Sequence, residues 1–194
     1  MSNQTAQKEN VALYVIRISV ILLAITVAVA AALAFVNSIT APKIAENTAR
    51  KTQEAIAAVL DGGYHTELDA FDTQDGVVTK VYQGDNGYAV EVAPTGFNGA
   101  IKMMVGVDNE GNITRISVIS QTETAGLGAV CAEKTSKGEA FRAQYEGKSG
   151  EILVIKSGTP ADNEIVAISG ATISSKAVTA GINAALACVQ GLLG

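Results

Sequence analysis

Three hydrophobic regimes follow one another along the chain. The first, Ile18 to Val36, is an apolar run of roughly nineteen residues without charge, Asn, Gln, Gly or Pro, spanning about 28 Å as a helix. It predicts one transmembrane helix over 18–36, behind a short polar leader over 1–17. Thr40-Ala41-Pro42 then reads as a break. Beyond it Ile44, Ala45, Thr48, Ala49, Ile56, Val59 and Leu60 recur on a helical stripe, with Glu46, Arg50, Lys51 and Glu54 elsewhere. That is the second regime, an amphipathic helix from Lys43 to Leu60 stopped by Asp61-Gly62-Gly63.

From Gly76 to Ser120 the period falls towards two. Strands are predicted at 77–82, 88–92, 101–107 and 113–119, the last two joined by a turn at Asp108 to Asn112. An irregular glycine-bearing stretch, Thr122 to Gly128, precedes a short helix near 138–144 and two short strands at 152–155 and 164–168. The closing helix carries Val178, Ile182, Ala185, Leu186, Val189 and Leu193 on one stripe, with Ser174 or Ser175 suited to cap it. The expected fold class is α+β: one N-terminal transmembrane helix, then a single domain (37–194) with a mainly antiparallel sheet packed by helices.

Ala28, Ala30, Ala32 and Ala34 also offer the A-x-A pattern of a cleaved secretory signal, although the apolar run exceeds a usual signal core. Flanking charges do not settle orientation: Lys8 and Arg17 precede the span, and Lys43, Arg50 and Lys51 follow it. Residues 37–194 hold 12 Lys and Arg against 18 Asp and Glu, a net charge of −6, which argues against a nucleic-acid partner. Two cysteines, Cys131 and Cys188, one histidine, His65, and no C-x-x-C leave an iron–sulfur cluster or zinc site without its usual ligands. Redox work would therefore need an organic cofactor. The cysteines read equally as a disulfide or as two buried thiols.

The position with most chemical promise is Ser169-Gly170-Ala171-Thr172, between the last strand and the closing helix. The first amides of a helix lack intrahelical partners and its dipole favours negative charge, so phosphate is welcome there. Gly170 and Ala171 keep bulk away from a large group approaching Thr172. Four small residues at a helix start also serve as an ordinary cap and turn. Other candidates are weaker. Gly126 to Cys131 lacks the third glycine of a dinucleotide fingerprint. Glu67, Asp69, Asp72 and Asp75 form an acidic loop without EF-hand spacing, His65 sits beside Tyr64 in a polar loop, and one histidine suggests no Ser–His–Asp triad.

Ser169-Gly170-Ala171-Thr172 followed by Ile173-Ser174-Ser175 and a helix resembles the flavinylation motif of the FMN-binding subunits of Rnf and Nqr electron-transport complexes. Gln121 to Gly128 resembles the family's Thr-Glu-Thr-Pro-Gly-Leu-Gly loop, and Gly106-Val107-Asp108 with Gly111-Asn112-Ile113 the strand pair before it. With the anchor and length added, the likeness is closer to the G subunit of Rnf. Two departures stand out: Val166 occupies a place where the motif commonly has an acid, Glu164 being the nearest, and Ala125 replaces the loop's proline.

The resemblance implies a cofactor, FMN, moved from FAD by a flavin transferase onto the hydroxyl of Thr172 as a phosphoester, with Ser174 and Ser175 as lesser acceptors. It implies that Ser169, Gly170 and Ala171 hold the phosphate with Thr172, and that Glu123, Thr124, Gly126 and Leu127 approach the flavin. It implies a domain on the extracytoplasmic side of the cell (inner) membrane, a cytoplasmic leader, and other membrane subunits of an ion-translocating ferredoxin:NAD⁺ oxidoreductase as partners. No catalytic acid, base or metal of the chain's own is expected, because the flavin carries the electrons. The alternative is a cofactor-free, membrane-anchored binding or scaffolding domain.

Overall fold

The computed structural model describes residues 2–60 and 65–194, with side chains from Leu13 onward. Its first element, α1, is a continuous helix from Ser2 to Val59. Contacts divide the chain into a unit ending at Ala49 and a second unit, Arg50–Gly194. In the first unit every described side chain is exposed, including Ile21, Leu22, Leu33 and Phe35, and the helix is long and apolar enough to cross a membrane.

The predicted break at Thr40-Ala41-Pro42 does not occur. Proline removes one intrahelical donor and crowds the preceding turn, at about 3 kcal/mol, yet the helix continues through Pro42. The Ser38 and Thr40 hydroxyls donate to the carbonyls of Phe35 and Val36, which keeps polar groups partnered within this stretch. The amphipathic stripe is also shorter than its pattern implies. Ile44 is exposed, and burial begins only at Ala55. The expected stop at Asp61-Gly62-Gly63 lies outside the described residues.

In the second unit five antiparallel strands form a meander in chain order: β1 (His65–Leu68), β2 (Val78–Gly84), β3 (Gly87–Val92), β4 (Lys102–Asp108) and β5 (Ile113–Ser120). Alternation sends Tyr88, Val90 and Val92 of β3 to one face, and Ala89 with Glu91 to the other. The first face packs against α3 (Thr172–Leu193) through Val178, Ile182, Ala185, Leu186 and Val189. Leu193, the last residue of the predicted stripe, is instead substantially exposed. The second face meets Ala55, Ile56, Val59 and Leu60. There Thr114 and Arg115 donate to the carbonyls of Val59 and Ala58 at 2.9 and 3.0 Å, partnering the end of α1. Glu91, buried on this face, accepts from Thr79 at 2.7 Å and pairs with Lys102 at 3.1 Å.

After β5 come a 3₁₀ turn (Gly128–Ala132), α2 (Ser136–Ala143) and a parallel strand pair, β6 (Leu153–Ile155) and β7 (Glu164–Val166). Two amides hold these in place: Asn183 of α3 bonds both backbone groups of Ile152, and Gln144 both those of Val166. The α+β class and mainly antiparallel sheet are as expected. Two local readings change. His65 and Glu67 belong to β1 rather than to a loop, with Glu67 paired to Lys80 across the strands at 2.6 Å. Helix α3 starts at Thr172 after Ala171, not at Ser174 or Ser175, because both serine hydroxyls are committed to other partners.

Candidate functional site

Strand β7 leads into Ala167 to Ala171, and the turn is closed by Gly170 at φ +75°, a left-handed conformation that strains residues with a β-carbon. A β-carbon there would also press on Leu127 Cδ2 at 3.1 Å. The Ala171 amide donates to Ile168 and its carbonyl accepts from Ser175 N, both at 2.9 Å, which sets the first turn of α3. Ser175 Oγ accepts from Ile168 N at 3.0 Å and donates to Ala171 O at 2.9 Å, sealing the turn from inside. The amides of Thr172, Ile173 and Ser174 lie in the part of a helix that has no intrahelical acceptor.

The second piece is the loop after β5. Thr124 O accepts from Leu127 N and Ala129 N, both at 3.1 Å, and Gly126 turns the chain at φ +73°. The third is the tip of the β3–β4 hairpin, Thr95 to Ala100, tied across Gly96 and Gly99 at 2.8 Å. Asn98 and Thr122 exchange hydrogen bonds between side chain and backbone, both at 2.8 Å. Glu123 joins all three pieces. One carboxylate oxygen accepts from Asn98 N at 2.9 Å; the other accepts from the hydroxyl of Ser174. Gly128 makes this approach feasible, since a β-carbon there would collide with Ser174 Oγ and Glu123 Oε2.

The three pieces enclose a cleft of ≈ 400 Å³ lined by Glu123, Thr124, Leu127, Gly170, Ala171 and Thr172, together with Phe97, Gly128, Ile173 and Ser174. Phe97 is 66% exposed, Ile173 58% and Leu127 43%, so three large apolar side chains stand on the surface around it. Such a cleft, apolar with helix-start amides at one end, fits a flat aromatic group carrying a phosphate. The hydroxyls at the start of α3 are not equivalent. Ser174 and Ser175 are buried and engaged, whereas Thr172 is half-buried and makes no side-chain hydrogen bond among the described residues.

Six of the predicted site residues therefore meet in one cleft. Gly126 and Ser169 face a neighbouring cavity of ≈ 590 Å³ instead, with Lys137, Phe141, Gln144 and Val166. Sequence reasoning passed over Phe97, and named Gly128 and Ile173 only as parts of the motifs, without a role in the site. For Phe97 a signal existed: an aromatic residue on a turn bounded by Gly96 and Gly99 has no core to enter.

The electrostatics are one-sided. No described Lys or Arg lies within ion-pair distance of Glu123. Burial, then the charge of Glu123, pushes the thiol of Cys131 up to about 11. Cys131 and Cys188 are both free and buried. Elsewhere His65 packs edge-on against Tyr82, and among the described residues no group of three His, Cys, Asp or Glu could hold a metal ion.

A family model described as an FMN-binding domain matches residues 96–187, a span that contains every residue lining the cleft. The G subunit of the Na⁺-translocating ferredoxin:NAD⁺ oxidoreductase complex of Acetobacterium woodii is 34% identical, covering 92% of this chain and 93% of its own. The G subunit of the proton-translocating complex of Clostridium ljungdahlii is 35% identical over 55% of both chains. The G subunit of an ion-translocating oxidoreductase complex of Methanosarcina acetivorans is 31% identical over 52% of this chain and 50% of its own.

Proposed function

The chain belongs to the family of G subunits of ion-translocating ferredoxin:NAD⁺ oxidoreductase (Rnf) complexes, and we propose that it works there as a flavoprotein whose FMN is esterified to Thr172. FMN supplies the electron-transfer chemistry when bound, and the protein supplies position and electrostatics. The observation that most supports Thr172 as the acceptor is the contrast among neighbouring hydroxyls: Ser174 and Ser175 are occupied and buried, and Thr172 opens on the cleft.

Attachment is a transfer from FAD. The Thr172 oxygen attacks the phosphorus on the flavin side, the pyrophosphate bond breaks, AMP leaves, and the hydroxyl proton passes to a base of the flavin transferase. The amides of Ile173 and Ser174 would hold the phosphodiester so formed, because the helix end favours an anion. Gly170 keeps the approach clear, Leu127 and Phe97 offer apolar faces to the ring, and Glu123 keeps the three wall segments together. None of these residues exchanges a proton with substrate.

In this reading α1 anchors the chain in the cell membrane, with residues 1–17 as a cytoplasmic leader, 18–36 as the span and 37–194 as an extracytoplasmic domain. Its partners are the other subunits of the complex, and the flavin transferase during maturation. The coupling is energetically reasonable. A two-electron drop of ~100 mV releases about 4.6 kcal/mol, against roughly 2.3 kcal/mol to move one charge through ~100 mV. A cofactor-free scaffold would leave the exposed Phe97, Leu127 and Ile173 around a helix-start anion site without a purpose.

Co-expression with a flavin transferase, followed by a denaturing gel under blue light, tests the assignment. A fluorescent band that disappears in Thr172→Val is the expected result. Fluorescence retained in the variant would move the acceptor, and a dark wild-type band would favour the scaffold.

A further inference from the structure

Glu123 is 8% exposed, lines the same cleft as Thr172, and has no described cation within ion-pair distance. Its oxygens are taken by one amide and one hydroxyl, which fix the carboxylate without neutralising it. A clamp between loops does not require a charge, because a glutamine could accept from Asn98 N through its amide oxygen and donate through its amide nitrogen to the Ser174 hydroxyl oxygen. Removing a carboxylate from water is costly, so an unpaired one retained in a cleft wall acts on whatever the cleft holds.

We infer that Glu123 is an electrostatic tuning residue that holds the flavin in this cleft at a lower reduction potential than it would otherwise have. The inference rests on the flavin reading above. Two-electron reduction takes both electrons from an external donor and a proton from solvent, leaving the reduced ring with additional negative charge. A fixed anion nearby opposes that step and leaves the oxidised form untouched. For a ring within roughly 10 Å at an effective dielectric of about 20, one unit charge changes the reduction equilibrium about tenfold. A tenfold change corresponds to about 30 mV for a two-electron couple. The residue touches neither donor nor acceptor in this role; it positions charge.

The test uses full-length protein flavinylated by co-expression, with intact mass taken first. It is then titrated anaerobically with dithionite, which is oxidised to sulfite, against a reference dye. Glu123→Gln is expected to raise the midpoint by about 30 mV or more, whereas Glu110→Gln, on the exposed β4–β5 turn, leaves it in place. An unchanged or lower midpoint in Glu123→Gln overturns the inference, as does an equal rise in Glu110→Gln. If Glu123→Gln fails to fold or to take the flavin, Glu123→Met removes the same charge with an unbranched apolar side chain of similar length. A raised midpoint then supports the inference, and an unmoved one overturns it. A wild-type mass without FMN refutes the flavin reading, and the inference with it.

Discussion

Ser174, in the first turn of α3, donates its hydroxyl hydrogen to Glu123, 51 residues earlier in the chain. This bond brings the loop after β5 to the start of the closing helix. Ser174→Ala leaves a buried carboxylate oxygen short of a donor, so a loss of about 1.5–3 kcal/mol is expected. Urea unfolding of the wild type and the variant measures it; a loss below ~0.5 kcal/mol would mean that water replaces the hydroxyl freely.

Gly128 stands where that bond passes closest to the backbone. In Gly128→Ala the new methyl group must displace Ser174 Oγ or the Glu123 side chain, an overpacking cost of about 1–3 kcal/mol. Because the displaced atoms form the cleft wall, flavin incorporation should fall along with stability. A variant with normal incorporation and an unchanged Tm would show that the wall adjusts without loss.

Gly170→Ala addresses the opposite wall. Its φ of +75° carries a penalty of about 1–2 kcal/mol for a residue with a β-carbon, and Leu127 Cδ2 would lie only 3.1 Å from the added atom. Reduced flavinylation per folded molecule, read as the ratio of FMN absorbance to protein, is the expected outcome. Substituting Gly126, which also has a positive φ but open space around it, tests strain alone.

Much of this arrangement was legible in the sequence. The turn at Asp108 to Asn112 declared itself, and Asp108 Oδ1 accepts from the amides of Glu110 and Asn112 with Gly111 at φ +83°. The α3 stripe was equally plain, being long and strictly periodic. Strand β1 was not, because His-Thr-Glu-Leu lacks alternation and pairs at a sheet edge with help from the Glu67–Lys80 ion pair. The cap of α3 was misread because local rules assume that serines near a helix start bond to their own helix. Here Ser174 reaches another loop. The cleft itself depends on contacts between distant segments, so its motif residues, Gly128 among them, could be named while Phe97 could not.

The buried thiols give the domain a pH signature. Burial raises Cys131 to about 11 and also raises Cys188. The folded state holds these protons more tightly than the unfolded chain, whose thiols titrate near ~8.5. Their contribution to stability is complete below that value; the Cys131 share is lost as pH rises through about 11, and the Cys188 share is lost above the ordinary thiol range. Tm should stay level from pH 7 to 8 and fall between about pH 9 and 11, with a shallower fall in Cys131→Ala. At pH 8 the native thiols should resist iodoacetamide, and both should react after unfolding; rapid alkylation of the folded protein would contradict the assigned burial.

The most direct measurement is peptide-level mass spectrometry of protein co-expressed with a flavin transferase and digested with trypsin. Cleavage after Lys156 and Lys176 releases Ser157 to Lys176, which holds Ser169, Thr172, Ser174 and Ser175 together. The account predicts one added FMN less water on this peptide, with fragment ions assigning it to Thr172. An unmodified peptide, or a flavin on any other residue, would contradict it.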